Sequence, residues 1–295
     1  MTDKELFTPA GIREETPVTA SKIRRTRHFP WISVILLTAI VFCCLFAELL
    51  MTKDPGYLDL NHFNIAPNGE FLFGTDTLGR DIFSGIWYGG RISIAIGFLA
   101  TLISTFIAVV YGSVSGIAPG WLDALMMRFT EIFLSVPGLL LVLFLQAILG
   151  QAGVLTLSIV IGLTSWAAIA KVIRTEVRQI RSSEYVVASR CMGGKFFHIL
   201  RHHLAPNFIA SIMFMVVMNV RGAIGAESTL SFMGMGLPLE VISWGSMLSL
   251  SEKALLTGSW WIILIPGTFL VTLLMCLTNI GNYLRQSTSR KESNL

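Results

Sequence analysis

The stretch Glu184–Asn207, EYVVASRCMGGKFFHILRHHLAPN, is the one long polar interruption in the second half of an otherwise apolar sequence. Its pattern predicts two short helices joined by a glycine turn. The first runs from Glu184 to Met192, and Gly193-Gly194 follow. Glycine there lets the chain enter a left-handed conformation without a side-chain penalty, a common way for a helix to stop. The second runs from about Lys195 to Leu204, with Phe196, Ile199, Leu200, His203 and Leu204 on one face at helical spacing. Pro206 ends it and starts the next apolar run. The pattern describes a basic helical hairpin at a membrane surface; an amphipathic connecting loop fits the same spacing.

Working outward, the chain of 295 residues is 53% hydrophobic and 14% charged. Soluble domains carry nearer a quarter charged residues. The apolar residues also come in long runs, so composition and pattern together predict a polytopic, all-α membrane protein. The runs are Trp31–Met51, Ile92–Ile117, Leu122–Leu149, Val154–Ile173, Phe208–Met235 and Trp261–Leu284. The first is too long for the core of a signal peptide and lacks a small-residue cleavage site, so it reads as a retained anchor. Its 21 residues would reach about 31 Å as a helix, enough for a bilayer core. Small residues such as Gly97, Gly112, Gly116, Gly162, Gly222 and Gly225 within these runs are expected to let helices approach closely.

Six spans place both termini on one side, and Lys/Arg placement says which. Residues 1–30 carry six, 171–207 seven and the C-terminal tail three, against Lys53, Arg80, Arg91 and Lys253 opposite: sixteen to four. The positive-inside rule then puts both termini and the hairpin in the cytoplasm. The expected organisation is a cytoplasmic tail at 1–30, an anchor at 31–51, an external loop at 52–91, a five-helix core at 92–285 holding the hairpin at 182–207, and a tail at 286–295. The cluster Lys22, Arg24, Arg25 and Arg27 abuts the first span. It suits an anionic inner leaflet, and no nucleic-acid partner is expected.

Chemistry is sparse. The sequence has no GxxxxGK[ST], HExxH, CxxC or GxSxG pattern, so neither ATP hydrolysis nor a catalytic triad or metal site is expected of this chain. Cys43, Cys44, Cys191 and Cys276 have no zinc or disulfide spacing. Charges inside spans are Arg128, Glu131, Arg221 and Glu227. Such a charge usually faces water or protein rather than lipid. Arg221, Glu227 and its neighbour Ser228 are therefore candidates for a solute pathway, with pairing inside the bundle as the alternative for Glu227.

Two motifs carry a resemblance. In the hairpin, Glu184, Tyr185, Val186, Ala188, Ser189, Arg190, Gly193, His203, Pro206 and Asn207 fall on the pattern of the cytoplasmic loop of ABC importer permeases. In the external segment FGTDTLGRDIFSGIWYGGRIS, Gly74, Thr75, Asp76, Leu78, Gly79, Arg80, Asp81, Ser84, Gly89, Arg91 and Ser93 resemble the second membrane subunit of dipeptide, oligopeptide and nickel importers. Read without the resemblance, GTD and LGRD are turn chemistry. Glu227, Leu230, Ser231, Phe232, Gly234, Gly236, Pro238, Ser243, Trp244 and Gly245 extend the likeness, with Leu239 in place of a second proline.

The resemblance implies a type I ABC importer permease fold and an importer of peptides or of nickel or its chelates. It implies a homologous second permease, two cytoplasmic ATPase subunits that hold ATP and Mg, an external solute-binding protein, and a cell-membrane location. Glu184, Tyr185, Val186, Ala188, Ser189, Arg190, Gly193, Phe196, His203 and Pro206 would then form the ATPase-coupling element. The reading of another class is an ion- or proton-coupled secondary transporter, which calls for paired repeats and paired intramembrane carboxylates that the sequence does not display. A non-transporting receptor or scaffold is a third.

Overall fold

The computed structural model describes residues 29–292 except 60, 151–152, 194–198 and 200–204. Among these, every extended regular element is a helix: α1 (Trp31–Leu45), α2 (Ala47–Leu50), α3 (Ile82–Ile117), α4 (Gly120–Ser135), α5 (Gly138–Leu149), α6 (Val154–Thr164), α7 (Ala167–Ile180), α8 (Glu184–Cys191), α9 (Ala205–Phe232), α10 (Trp244–Ser249), α11 (Ser251–Thr257) and α12 (Trp261–Glu292). The long α3 is the central element. It packs on α7, α6 and α9, while α9 packs on α12 and α1 lies across α3 and α12.

Helix α3 begins at Ile82, not at Ile92, so the external segment ends ten residues earlier than the apolar run indicates. Asp81 causes this. Its carboxylate caps the helix, accepting from the Ser84 backbone N–H at 3.0 Å and the Ser84 hydroxyl at 2.6 Å. At 36 residues the helix is about 54 Å long, more than a bilayer core needs. The preceding segment is built of turns. Asp76 accepts from the backbone N–H groups of Leu78 and Arg80 at 2.8 and 2.9 Å. Burial nevertheless pushes its carboxyl above the usual range. Gly79 sits at φ 77°, where a Cβ would come within 1.8 Å of the Asp59 carbonyl oxygen, so both the backbone conformation and the space exclude a side chain.

Two expected spans are broken. The third bends by 91° between α4 and α5, and the fourth by 46° between α6 and α7. The sharp bend falls at Val136-Pro137. Proline has no N–H to continue the ladder and holds its predecessor extended, and Val136 has ψ 131°. The anchor is likewise interrupted at Phe46, leaving α1 with 15 residues. Among the described residues, Ile82–Ile117 and Trp261–Ser287 are each long and apolar enough to cross a membrane, and the two bent pairs qualify as broken spans. The count of six single spans is therefore not reproduced element for element.

Three apolar clusters hold the bundle. Cys44, Ile86, Ile224, Trp244, Ile262 and Leu273 join α1, α3, α9, α10 and α12. Ile96, Ala100, Val142, Leu157, Val160 and Leu230 join α3, α5, α6 and α9. Ala108, Ala170, Ile173, Val177, Val186 and Phe208 join α3, α7, α8 and α9. Close packing by small residues holds at four of the expected positions. A Cβ at Gly97, Gly112, Gly116 or Gly162 would lie 2.4–2.8 Å from a neighbouring helix. Gly222 and Gly225 differ: a Cβ there would meet nothing within 4 Å, so among the described residues nothing packs closely on α9 at those two positions.

Candidate functional site

The polar hairpin is carried on α7. This helix has the composition of an interfacial element, with a buried side of Ala167, Ala170, Ile173 and Val177 and cations at Lys171, Arg174 and Arg178. Ser183 closes the link to α8: its carbonyl accepts the N–H groups of Val186 and Val187 at 3.1 Å each, while its hydroxyl donates to the Ile180 carbonyl at 2.6 Å. Helix α8 therefore follows α7 through a short hydrogen-bonded turn.

Within α8, Val186 (0% exposed) and Ser189 are buried, while Val187 and Cys191, and Met192 just after the helix (82% exposed), face outward. Val186 thus packs in one cluster with residues of α7 and α9, and Ser189 is buried one turn on. Glu184, Tyr185, Ala188 and Arg190 lie on α8, and Pro206 falls in the first turn of α9, where a missing N–H costs no hydrogen bond. Phe196 and His203, with most of the second hairpin helix, lie outside the described residues. Ile199, on the expected apolar face of that helix, is buried in the cluster with Val186. At that position the face packs inward. Gly193 has φ 84° and open space around its Cβ position. The turn therefore depends on the backbone conformation itself, not on crowding.

A carboxylate that sequence reasoning passed over lies at the base of this assembly. Asp123, near the start of α4, receives both forks of the Arg174 guanidinium, on Oδ1 and Oδ2. Arg178 donates to Oδ2 at 3.1 Å and the Ser115 hydroxyl to Oδ1 at 2.7 Å. Arg181 donates to the Gly116 carbonyl at 3.0 Å, at the C-terminal end of α3, where a cation complements the helix dipole. The signal was present as Arg174, Arg178 and Arg181 at i, i+4, i+7. It needed a partner 51 residues upstream in Asp123, which spacing alone cannot supply.

The three pathway candidates separate. Arg221 is exposed on the uncovered side of α9 beside Gly222 and Gly225, with Thr229 two turns on. Glu227 and Ser228 are buried inside the subunit. The Glu227 carboxylate accepts from Ser243 at 2.7 Å, Ser93 and Ser231 at 3.0 Å each, and Ser228 at 3.2 Å. Three of those hydroxyls in turn accept backbone N–H groups: Ser93 from Trp244, Ser231 from Leu237 and Ser243 from Ser246. The result is a relay that ties α3 and the α9–α10 connection to one carboxylate on α9. Nothing in the spacing of Ser93 and Ser243 from Glu227 announces it.

Comparison with known proteins agrees with the fold. Residues 108–290 match the family described as binding-protein-dependent transport system inner membrane component. The chain is 38% identical over 232 residues to the dipeptide transport system permease protein of Bacillus subtilis, covering 79% of this chain and 72% of that one. It is 34% identical over 267 residues to the oligopeptide transport system permease protein of the same organism, covering 90% and 87%. The oligopeptide permease of Haemophilus influenzae is 33% identical over 262 residues, covering 88% and 84%. Among solved structures, a chain of the inward-facing MetNI methionine ABC transporter superposes with TM-score 0.53 at 17% identity, covering 69% of this chain and 96% of that one. That likeness shows the fold, an all-helical type I ABC importer permease.

Proposed function

The chain belongs to the family of binding-protein-dependent transport system inner membrane components, and from that premise we propose that it is the second membrane subunit of an ATP-driven importer of peptides. The observation that carries this reading is that sequence and fold agree over one stretch. The family match at 108–290 contains the α7–α8 approach, the Gly193 turn and α9. The relatives compared above are permeases for dipeptides and oligopeptides, which favours peptides over nickel. Permease subunits of ABC transporters do not hydrolyse ATP, so two cytoplasmic ATPase subunits supply that step and hold ATP and Mg. A homologous permease completes the pathway, and an external solute-binding protein delivers the peptide. Trp121, Leu125, Phe129, Ile132, Leu140 and Phe144 on α4 and α5 are all exposed, and such a surface calls for lipid or a second membrane subunit.

The work cycle follows from linkage. ATP favours the closed ATPase pair, and the closed pair must bind one pathway state better than the other. A hairpin joined to α7 through the Ser183 turn can transmit that difference. Purifying the tagged chain from membranes under mild detergent should bring down two ATPase equivalents and a second permease. Recovery of a functional transporter without any ATPase would contradict the reading.

Orientation and pathway share one labelling experiment in a chain whose native cysteines, including exposed Cys191, have been replaced. Gly69 and Ser182 are both exposed. Gly69→Cys should react with an impermeant thiol reagent from outside, and Ser182→Cys only after permeabilisation, because the basic residues gather on the hairpin side. Arg221 lies 16 residues into α9, about 24 Å from its start. A cation at that depth belongs in water or against protein, and we place it on the pathway, where its charge suits a peptide carboxylate. Arg221→Cys should label, and transported peptide should slow the labelling. Reversed labelling of the first two positions would overturn the orientation. Unreactive Arg221→Cys would remove it from the pathway.

A further inference from the structure

We propose that the Asp123 clasp carries movement of the coupling hairpin to the bent α4–α5 pair, which makes Asp123 a positioning residue for import. The inference rests on the importer reading above.

Helices α7 and α8, joined through the Ser183 turn, act as one lever. That lever is fused to α3. A Cβ at Gly112 would lie 2.6 Å from the Ala170 carbonyl oxygen, and one at Gly116 2.6 Å from a Val177 methyl. At both positions α3 contributes no side chain and α7 packs directly on its backbone, so α3 and α7 shift together. Helix α4 is different. It meets this body at few places, and the polar attachments are specific. Arg174 from α7 grips both oxygens of Asp123, Arg178 adds a third bond, and Ser115 from α3 adds a fourth. The Tyr111 hydroxyl of α3 donates to the Met126 carbonyl at 2.7 Å. Farther along α4, the ring of Phe133 meets Trp166 at the α6–α7 bend, 5.4 Å between centroids.

A bidentate guanidinium–carboxylate pair fixes direction as well as distance. With the carboxyl largely screened from solvent, it does not slide as a surface pair would. Pulling on α7 therefore draws the start of α4 with it. The far end of α4 is the 91° elbow at Pro137, beyond which α5 leaves at a right angle. A small rotation of α4 becomes a lateral displacement of α5. The clasp is the joint through which ATPase closure reaches a broken span whose outer side is apolar and exposed.

The test uses the whole complex in vesicles: both permeases, the ATPase subunits, the binding protein and a labelled pool of di- to pentapeptides. ATP-driven uptake by the parental complex establishes the importer reading independently; its absence would sink that reading, not the clasp. Asp123→Asn keeps the shape and one hydrogen-bond acceptor but loses the charge. Its complex should be recovered with its full ATPase complement, keep binding-protein-stimulated hydrolysis within about two-fold, and import roughly ten-fold less peptide per ATP, the scale of an ordinary coupling energy. Asp123→Glu, which retains the charge, should restore most of the ratio. An unchanged ratio in Asp123→Asn would overturn the proposal. So would loss of ATPase subunits, or hydrolysis and uptake falling in step, since either would make the clasp a purely structural contact.

Discussion

Complexes carrying Gly193→Val are expected to lose at least about nine-tenths of binding-protein-stimulated ATP hydrolysis and of uptake, a loss within the range of allosteric couplings, while the subunit is still made and inserted. The cause is local. Gly193 holds φ 84°, and a Cβ there would meet none of the described residues within 4 Å, so the cost of valine is that of a backbone conformation β-branched residues avoid, of order 1–3 kcal/mol. The turn relieves that strain by opening or by continuing α8. Either response re-aims everything beyond it, while the spans bury their own surfaces and are untouched. Gly193→Asn should keep most of the activity, because asparagine tolerates the left-handed region. Ser182→Ala, at an exposed position at the edge of the hairpin ahead of α8, should be silent. Parental stimulation and uptake in Gly193→Val would mean that the hairpin turn is not the coupling element.

The second large effect is expected at Glu227. Replacing it with alanine strips the acceptor from four serine hydroxyls and leaves a cavity beside Gly245, whose Cβ position lies 3.0 Å from Oε1. Each buried polar group left unpaired costs about 1–3 kcal/mol. The thermal midpoint of the purified complex should fall by roughly 5–10 °C, at a few degrees per kcal/mol for a chain of this size, with poor recovery of the subunit. Glu227→Gln should lie between, since its amide accepts at one end and opposes the hydroxyls with a donor at the other. Lost uptake with an unchanged midpoint in Glu227→Gln would instead assign the carboxylate to the pathway.

What could be read in the sequence is what depends on local or additive quantities. Hydropathy located the apolar runs, because burial in a bilayer sums over neighbouring residues. The GTD and LGRD turns were legible because Asp76 and Gly79 act on their own backbone. The break at Pro137 was not legible. Proline removes an N–H wherever it sits, yet Pro266 lies inside the continuous α12 and only packing decides between a bend and a tolerated interruption. The start of α3 was misplaced because Gly85, Gly89, Gly90 and Arg91 look unlike a span, whereas Asp81 caps a helix that buries Ile82 and Ile86.

The site was legible in its outline and hidden in its long-range parts. Gly193 stood out because a left-handed turn needs that residue type. Val186 and Ser189 lie on the matched motif, but which side of α8 meets the core depends on α7 and α9. The Glu227 relay joins residues as far apart as Ser93 and Ser243, and the Asp123 clasp joins α4 to α7 across the intervening α5 and α6. Pairing of that kind is a property of the folded bundle. The same holds for Arg221, whose exposure follows from a side of α9 that the described residues leave open.

The central claim is that this subunit serves import driven by ATP through separate ATPase subunits. The direct measurement is accumulation of labelled peptides in vesicles holding the full complex, with loaded binding protein on the outer face and ATP on the hairpin face. The account predicts accumulation that requires both ATP and the binding protein, is unaffected by collapsing proton and sodium gradients, and vanishes when the ATPase subunits are left out. Uptake by the permease subunits alone, driven by an ion gradient and indifferent to ATP, would contradict it.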